Sequence, residues 1–370
     1  MEEFLKKVPG QQKALKNLYQ IYSSQRIPNA FLFTGKSGTG KHFAAVEFIK
    51  LINQDSSAEN YSHISKNIET LAEPYVLYIY PLPRGKNETG KDKPFDKLQP
   101  VQLDEIRSEL DKKIKNPYYT LSIEKAVNIK IASIRDIKKF SALNFTDLKW
   151  RVIIISKAEK MTVESQNALL KSLEEPTEGI IYILLAESVD ALLPTIKSRC
   201  WNIEFSPLSK LNVVNVLTNN FGVSQKDAEN ASLFADGSVT TAINLLENDL
   251  DSILKSTITI LRFALGKRYF TAYHELEKYI KDYSAEVFLL ILQFILLWID
   301  DVVKGRNSID NYYFEPYKET IIKFNEKFKN VNLTGLYNRI SFLIASIDKK
   351  VSLNLIALNT IFEISTLGLR

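Results

Sequence analysis

The stretch Phe31-Leu32-Phe33-Thr34-Gly35-Lys36-Ser37-Gly38-Thr39-Gly40-Lys41-His42 constrains this chain more than any other. An apolar run enters a glycine-rich turn and Lys41, and the helix-forming segment Phe43 to Ile49 follows. That is the strand–loop–helix context of a phosphate-binding loop. Glycines let backbone N–H groups close around phosphate, the lysine adds a point charge, and the helix N-terminus adds its dipole. The nucleotide-binding candidates are Gly35, Gly38, Gly40 and Lys41. One position departs from the pattern. Ser or Thr, whose hydroxyl holds Mg²⁺, should follow Gly-Lys, and His42 stands there instead. Imidazole is a poor ligand for a hard ion that prefers oxygen. The glycine and lysine spacing also arises by chance, so an ordinary strand–turn–helix is the alternative.

Periodicity places further elements along the chain. Gln11 to Ser23, Val101 to Ile114, Ile134 to Leu143, Thr162 to Glu175 and Leu192 to Ser198 read as helices. Ser133 is placed to cap the third of these. Val76 to Tyr80, Val127 to Ile131, Arg151 to Ile155, Ile180 to Leu185 and Trp201 to Phe205 read as strands. The β-branched run Val152 to Ile155 predicts a strand buried on both faces of a parallel sheet. Gln54 to Asn60 reads as a polar loop, and Pro81 to Pro100 as a long surface loop. Arg84, Lys86, Lys91 and Lys93 in that loop could touch a phosphate backbone, or could simply be solvated among Glu88 and Asp92. Strands alternating with helices behind a phosphate loop predict an α/β fold with a doubly wound parallel sheet. Beyond Pro207 only helical periods remain. The expected domains are an α/β P-loop domain at 1–206, a small helical domain at 207–249 and an all-α domain at 250–370.

Composition narrows the function classes. The chain of 370 residues is 45% hydrophobic and 25% charged, which rules against disorder. Its longest apolar run, Val287 to Ile299, is shorter than the ~18 residues of a membrane span and predicts a buried helix, with no membrane partner. A single cysteine, Cys200, excludes a disulfide framework and a multi-cysteine zinc site. No secretory segment is visible at Met1 to Lys7, so the cytoplasm is the expected location. The net charge of +5 permits contact with nucleic acid without requiring it.

Three further stretches line up with the phosphate loop and with Val8-Pro9-Gly10-Gln11. They are Ile153-Ile154-Ile155-Ser156-Lys157-Ala158-Glu159, Asn167-Ala168-Leu169-Leu170-Lys171-Ser172-Leu173-Glu174-Glu175-Pro176, and Leu193-Pro194-Thr195-Ile196-Lys197-Ser198-Arg199-Cys200. In this order and spacing the chain resembles the AAA+ subunits of the bacterial DNA polymerase III clamp loader, strongly over residues 1–205. The helical remainder corresponds in size and class to lid and collar domains.

Within that family, hydrolysing subunits end the Walker B strand with Asp-Glu; here Ser156 and Lys157 occupy those positions. The lid arginine of the Gly-Ser-x-Arg context is replaced by Thr240. With His42, four catalytic elements are missing, and the resemblance then implies loss of hydrolysis. On the residues alone Arg199 is a surface ion-pair partner. The resemblance makes it an arginine finger acting in trans on the ATP of a neighbouring subunit, as in the delta-prime type, and such a residue is worth ~10³–10⁵ in rate. It likewise brings Lys171 near the central DNA chamber as a candidate contact.

The implied partners are the other clamp-loader subunits, delta and gamma/tau, in a hetero-pentamer, together with the sliding clamp and primer-template DNA. No cofactor is required, and ATP or ADP binding is left open. Many relatives carry a four-cysteine zinc module after the phosphate-loop helix; no cysteine lies between residues 50 and 100, so no zinc is expected. Two alternatives stand: an ATP-hydrolysing gamma/tau subunit, and a degenerate AAA+ scaffold of an unrelated complex.

Overall fold

The structure is a computed structural model that describes residues 1–54, 61–89, 92–142, 148–281, 285–347 and 351–369. It divides into two compact units, one formed by Met1–Ala228 with Ala235–Thr241 and the other by Glu229–Phe234 with Ala242–Arg370. The polar stretch 55–60, Lys91 and Leu143 lie outside the described residues.

The first unit is built on a five-stranded sheet. In chain order it contains α1 (Glu2–Lys6), α2 (Gln12–Ser23), β1 (Ala30–Thr34), α3 (Lys41–Asn53), α4 (Tyr61–Glu69), β2 (Val76–Ile79), α5 (Pro100–Lys115) and α6 (Ile131–Ser141). Then come β3 (Arg151–Ser156), α7 (Val163–Glu174), β4 (Ile180–Ala186), α8 (Pro194–Lys197), β5 (Trp201–Glu204) and α9 (Lys210–Phe221). All neighbours are parallel in the order β2-β3-β4-β1-β5, the doubly wound sheet expected. Period-two alternation sends successive side chains to opposite faces. Val152, Ile154, Ile181, Ile183, Phe31 and Phe33 pack on one layer with α2 and α3. Ile153, Ile155, Tyr182, Leu184 and Leu32 pack on the other with α6 and α7. Burial on both faces is why β1, β3 and β4 read as unbroken apolar runs.

Helices α10 (Gln225–Phe234) and α11 (Val239–Glu247) contribute residues to both units. The second unit adds α12 (Leu250–Leu265), α13 (Tyr269–Lys281), α14 (Ala285–Arg306), α15 (Lys318–Lys327), α16 (Leu333–Ile347) and α17 (Leu353–Ser365). Its mostly aliphatic core holds an aromatic cluster: Trp298 meets Phe324 edge-on, and Phe294 stacks on Phe234 at 4.8 Å. The Val287 to Ile299 run is the buried centre of α14, and no helix of the described residues is long and apolar enough to cross a membrane. One charge sits in this core. Asp301, fully buried, accepts from the Tyr313 and Phe314 amides at 3.0 and 2.7 Å and pairs with Lys304 at 2.9 Å.

Two local expectations fail. Val127 to Ile131 is not a strand: Ile129 makes a single bridge to Met161, and the chain turns into α6 at Ile131. The sheet edge stays with β2, and the segment makes only isolated backbone bonds, from the Leu82 amide to Asn128 O and from the Ile129 amide to Lys160 O, rather than a ladder. Ser133 does not cap α6 either. The helix starts two residues earlier, and the Ser133 hydroxyl is buried inside it without a hydrogen bond. Helix α4 was not anticipated; only Ile64 and Ile68 mark its buried side.

Candidate functional site

The candidate site lies at the carboxyl ends of β1, β3 and β4, where open parallel sheets place their ligands. β1 delivers the chain into Gly35–Gly40, and Gly40, left-handed at φ 93°, precedes the first residue of α3, Lys41. The Lys41 ammonium does not point into free space. It donates to the carbonyl oxygens of Gly35 and of Lys36, the latter at 2.7 Å. Burial lowers its pKa to about 8, opposed by the charges of Glu187 and Glu159. The loop is also held from behind: Gln11 Nε2, buried, donates to Thr39 O at 3.0 Å and to Ser206 O at 2.7 Å.

His42 is buried on α3. Its ring meets Tyr78 edge-on at 5.4 Å, and neither ring nitrogen has a hydrogen-bond partner among the described residues. Burial, and then the charge of Lys113, hold its pKa well below the usual histidine range, so the imidazole is neutral. At the end of β3, Lys157 takes a left-handed conformation (φ 52°) and donates from Nζ to Leu121 O at 2.8 Å. Glu159, the nearest carboxylate along the chain, accepts from the Glu187 amide at 3.3 Å, and burial raises its pKa.

The chain itself closes over the loop. Lys113 of α5 is buried and donates to Pro117 O at 2.8 Å and Tyr119 O at 2.6 Å. Burial, then the charges of Lys41 and Lys157, lower its pKa to about 7. The Ser37 and Thr120 hydroxyls share a 2.7 Å hydrogen bond. Thr240 Oγ1 donates to Tyr118 O at 2.7 Å, the Val239 amide donates to Gly38 O at 3.1 Å, and Lys36 pairs with Asp236. A Cβ on Gly38 would lie 2.6 Å from the Thr240 amide nitrogen.

The predicted residues thus converge in part. Gly38, Gly40, Lys41, His42, Ser156 and Lys157 line one cavity of about 60 Å³, together with Lys113, Tyr118 and Glu187. Gly35 and Thr240 join through hydrogen bonds to Lys41 and Tyr118. Ligand pockets of nucleotide size measure ~300–1,000 Å³. No carboxylate stands at Ser156 or Lys157, and His42 offers no oxygen. As folded, these residues do not fit a Mg²⁺–nucleotide unless 117–121 and 238–240 move. Among the described residues no three His, Cys, Asp or Glu side chains converge as a metal site.

Arg199 lies elsewhere. Exposed after α8, it donates to Thr195 O at 2.9 Å and pairs with Glu174 of α7 at 2.8 Å. Lys171 is exposed on the same α7. Cys200 is half-buried, and burial pushes its thiol up to about 12, so it is unreactive. In the loop of residues 81–100, Glu88 pairs with Lys130 at 2.7 Å. Lys113, Tyr118 and Thr120 escaped the sequence reading. Lys113 belongs to a charged helix whose spacing assigns it to solvent, and Pro117 to Thr120 carry no motif.

The family described as DNA polymerase III, delta subunit, matches residues 10–209. The DNA polymerase III subunit tau of Bacillus subtilis is 25% identical over 245 residues, 65% of this chain and 36% of that protein. Subunit gamma of Buchnera aphidicola subsp. Schizaphis graminum is 27% identical over 250 residues, 66% of this chain and 57% of that protein. Subunit delta′ of Bacillus subtilis is 29% identical over 198 residues, 54% and 48% of the two chains. The chain therefore spans between 36% and 57% of the length of these relatives. A solved structure of a DNA polymerase III gamma subunit-related protein from Thermotoga maritima superposes with a TM-score of 0.42 at 16% identity, covering 95% of this chain and 99% of that one.

Proposed function

Since the chain belongs to the DNA polymerase III delta-subunit family of clamp-loader proteins, we propose that it is a delta-prime-type subunit that does not hydrolyse ATP and presents Arg199 to a neighbouring subunit. The observation that carries this is the end of β3. A cation, Lys157, stands where hydrolysis needs a carboxylate, and it is tied to Leu121 O. A water attacking a γ-phosphate there would find no base and no Mg²⁺ support. Arg199, outside the cavity and exposed, is free to serve a different site.

In this reading the subunit completes a hetero-pentamer with delta and gamma/tau. The assembly opens the sliding clamp and places it on primer-template DNA during replication, in the cytoplasm. Lys171 would contact the DNA backbone, through phosphate rather than bases. The 250–370 domain would hold the ring. Phe270, Phe342, Leu355 and Phe362 are all more than half exposed there and are available to such contacts. Neither zinc nor bound nucleotide is needed for this role.

The test is reconstitution. Arg199→Ala should depress DNA-stimulated ATP hydrolysis of the assembled loader by ~10³-fold at the served site, with subunit composition unchanged. Unchanged hydrolysis would remove the trans role. A second reading, a hydrolysing gamma/tau subunit, is favoured by the longer alignments to tau and gamma, 65% and 66% of the chain against 54% for delta′. ATP turnover by the purified chain that disappears in a Lys41→Met variant of unchanged Tm would establish it.

A further inference from the structure

The phosphate loop has lost room for a nucleotide while keeping an environment made for negative charge. Three lysines line the cavity of about 60 Å³: Lys41, Lys113 and Lys157. The carboxylate in its wall is Glu187, and Glu159 acts on Lys41 from farther off. An ammonium has three N–H donors. Lys41 and Lys113 each give two to carbonyl oxygens and Lys157 gives one, which leaves donors on all three.

The same cavity is lined by three buried polar atoms with no hydrogen-bond partner: both His42 ring nitrogens and the Tyr118 hydroxyl. Buried polar atoms are normally satisfied by protein, water or an ion. The N-terminus of α3, thirteen residues long, adds its positive end. In size the cavity lies well above the ~10–15 Å³ that one water occupies and far below a nucleotide pocket of ~300 Å³ or more.

We propose that this cavity binds a single small tetrahedral oxyanion, of the sulfate and orthophosphate class, between Lys41, Lys113, Lys157, Tyr118 and a His42 N–H, and that it excludes nucleosides. The ligand is a structural ion, not a substrate. It satisfies the orphaned donors and offsets the repulsion among the three ammonium groups.

Charge linkage gives the site a signature. Without the anion, Lys113 titrates at about 7 and Lys41 at about 8. A neighbouring anion favours their protonated forms, so binding takes up protons above neutral pH and affinity falls as pH rises through that range. The other facing groups do not reverse this. Burial keeps the phenols of Tyr78 and Tyr118 protonated and His42 neutral, and Glu159, whose pKa burial raises, only becomes more repulsive as pH rises.

Sulfate is the probe, because its own charge is constant across the range. The full chain is titrated with sodium sulfate by calorimetry, and its thermal unfolding is followed, in chloride buffers of matched ionic strength. Saturable binding and a raised Tm are expected at pH 6.5, with affinity at least tenfold weaker at pH 9 and in Lys41→Met. Orthophosphate should displace sulfate, whereas ATP and ADP should bind no tighter than sulfate does. Absence of saturable heat and of any Tm shift beyond chloride would mean a water-filled cavity and would overturn the proposal. So would ATP or ADP competing at lower concentration than sulfate, which would return the cavity to nucleotides. If Lys41→Met does not fold, the pH dependence of the wild-type chain decides alone: affinity flat from pH 6.5 to 9 refutes the assignment of these lysines.

Discussion

Raising the pH from 7 to 9.5 in sulfate- and phosphate-free chloride buffer should stabilise the first unit, and Lys113 should be the main cause. Its ammonium is buried in the cavity wall, and its pKa drops from 10.5 to about 7. The unfolded chain, with an ordinary lysine, holds its proton until about pH 10.4. Between the two values the unfolded state binds more protons than the folded state, so stability rises with pH. Well below pH 7 both states are charged and the full cost of burial is present. Each pH unit in the window is worth about 1.4 kcal/mol, so the 2.5 units from 7 to 9.5 allow a ceiling of about 3 kcal/mol from Lys113. Lys41, at about 8, adds in the same direction over the upper part of the window. The range stops at 9.5 because Tyr78, Tyr80 and Tyr118 have pKa values raised by burial. Tyrosines of the unfolded chain ionise near pH 10, and from there the trend reverses. Urea unfolding followed through the Trp150 and Trp201 fluorescence of the first unit is the assay. Lys113→Met should flatten the dependence to the residue left by Lys41. A flat profile in the wild-type chain, or an unchanged slope in Lys113→Met, would show that Lys113 is not held in the cavity wall as described.

Three other outcomes follow from named contacts. Asp301→Ala leaves the Tyr313 and Phe314 amides and Lys304 without their shared partner, so the second unit should lose about 3–5 kcal/mol by denaturant unfolding, and a loss below 1 kcal/mol would show the site to be solvated. Gln11→Ala removes the two carbonyl contacts that tie Thr39 to Ser206 and should cost about 1–3 kcal/mol, read in the same way. Glu174→Gln should change stability by less than about 1 kcal/mol, because the pair with Arg199 is exposed. If Arg199 must leave Glu174 to reach a neighbour, this change should raise loader hydrolysis by up to about fivefold, and a fall would mean that Glu174 instead positions the arginine.

Most of the sheet was legible because burial on both faces leaves little choice of residue. Val152 to Ile155 and Ile180 to Leu185 admit only apolar side chains. The helix caps were not legible: Ser133, the cap expected, lies inside α6, whereas Thr162, Ser209 and Ser224 accept backbone N–H groups without having been singled out. Val127 to Ile131 misled because alternation describes a local face but not whether a neighbouring strand is available. The phosphate loop was legible as a backbone turn. What closes it was not: Thr120 meets Ser37 across 83 residues, Tyr118 O accepts from Thr240 across 122, and Lys113 is turned inward by the Pro117 and Tyr119 carbonyls, contacts that leave no pattern in the sequence. A lysine in a charged helix reads as solvated until its surroundings are known.

That closure bears on what the glycine loop does in a chain with Ser156 and Lys157 at the end of β3. Gly38 presents its carbonyl to the Val239 amide, and any Cβ there would collide with the backbone of Thr240. Gly38 is also left-handed, at φ 72°, a conformation costly for other residues. The loop geometry is therefore required by folding alone, whether or not phosphate ever binds. The same holds for Lys41, whose ammonium ties Gly35 to Lys36. Lys41→Met, the usual probe of a phosphate loop, removes those contacts together with any bound anion. An inactive loader carrying Lys41→Met would consequently not identify this chain as the hydrolysing subunit unless its Tm matched the wild type. Arg199 has no comparable structural burden, being exposed and held by one carbonyl and one surface ion pair. A loss of hydrolysis on its removal, with the assembly intact, can be assigned to chemistry at the neighbouring site.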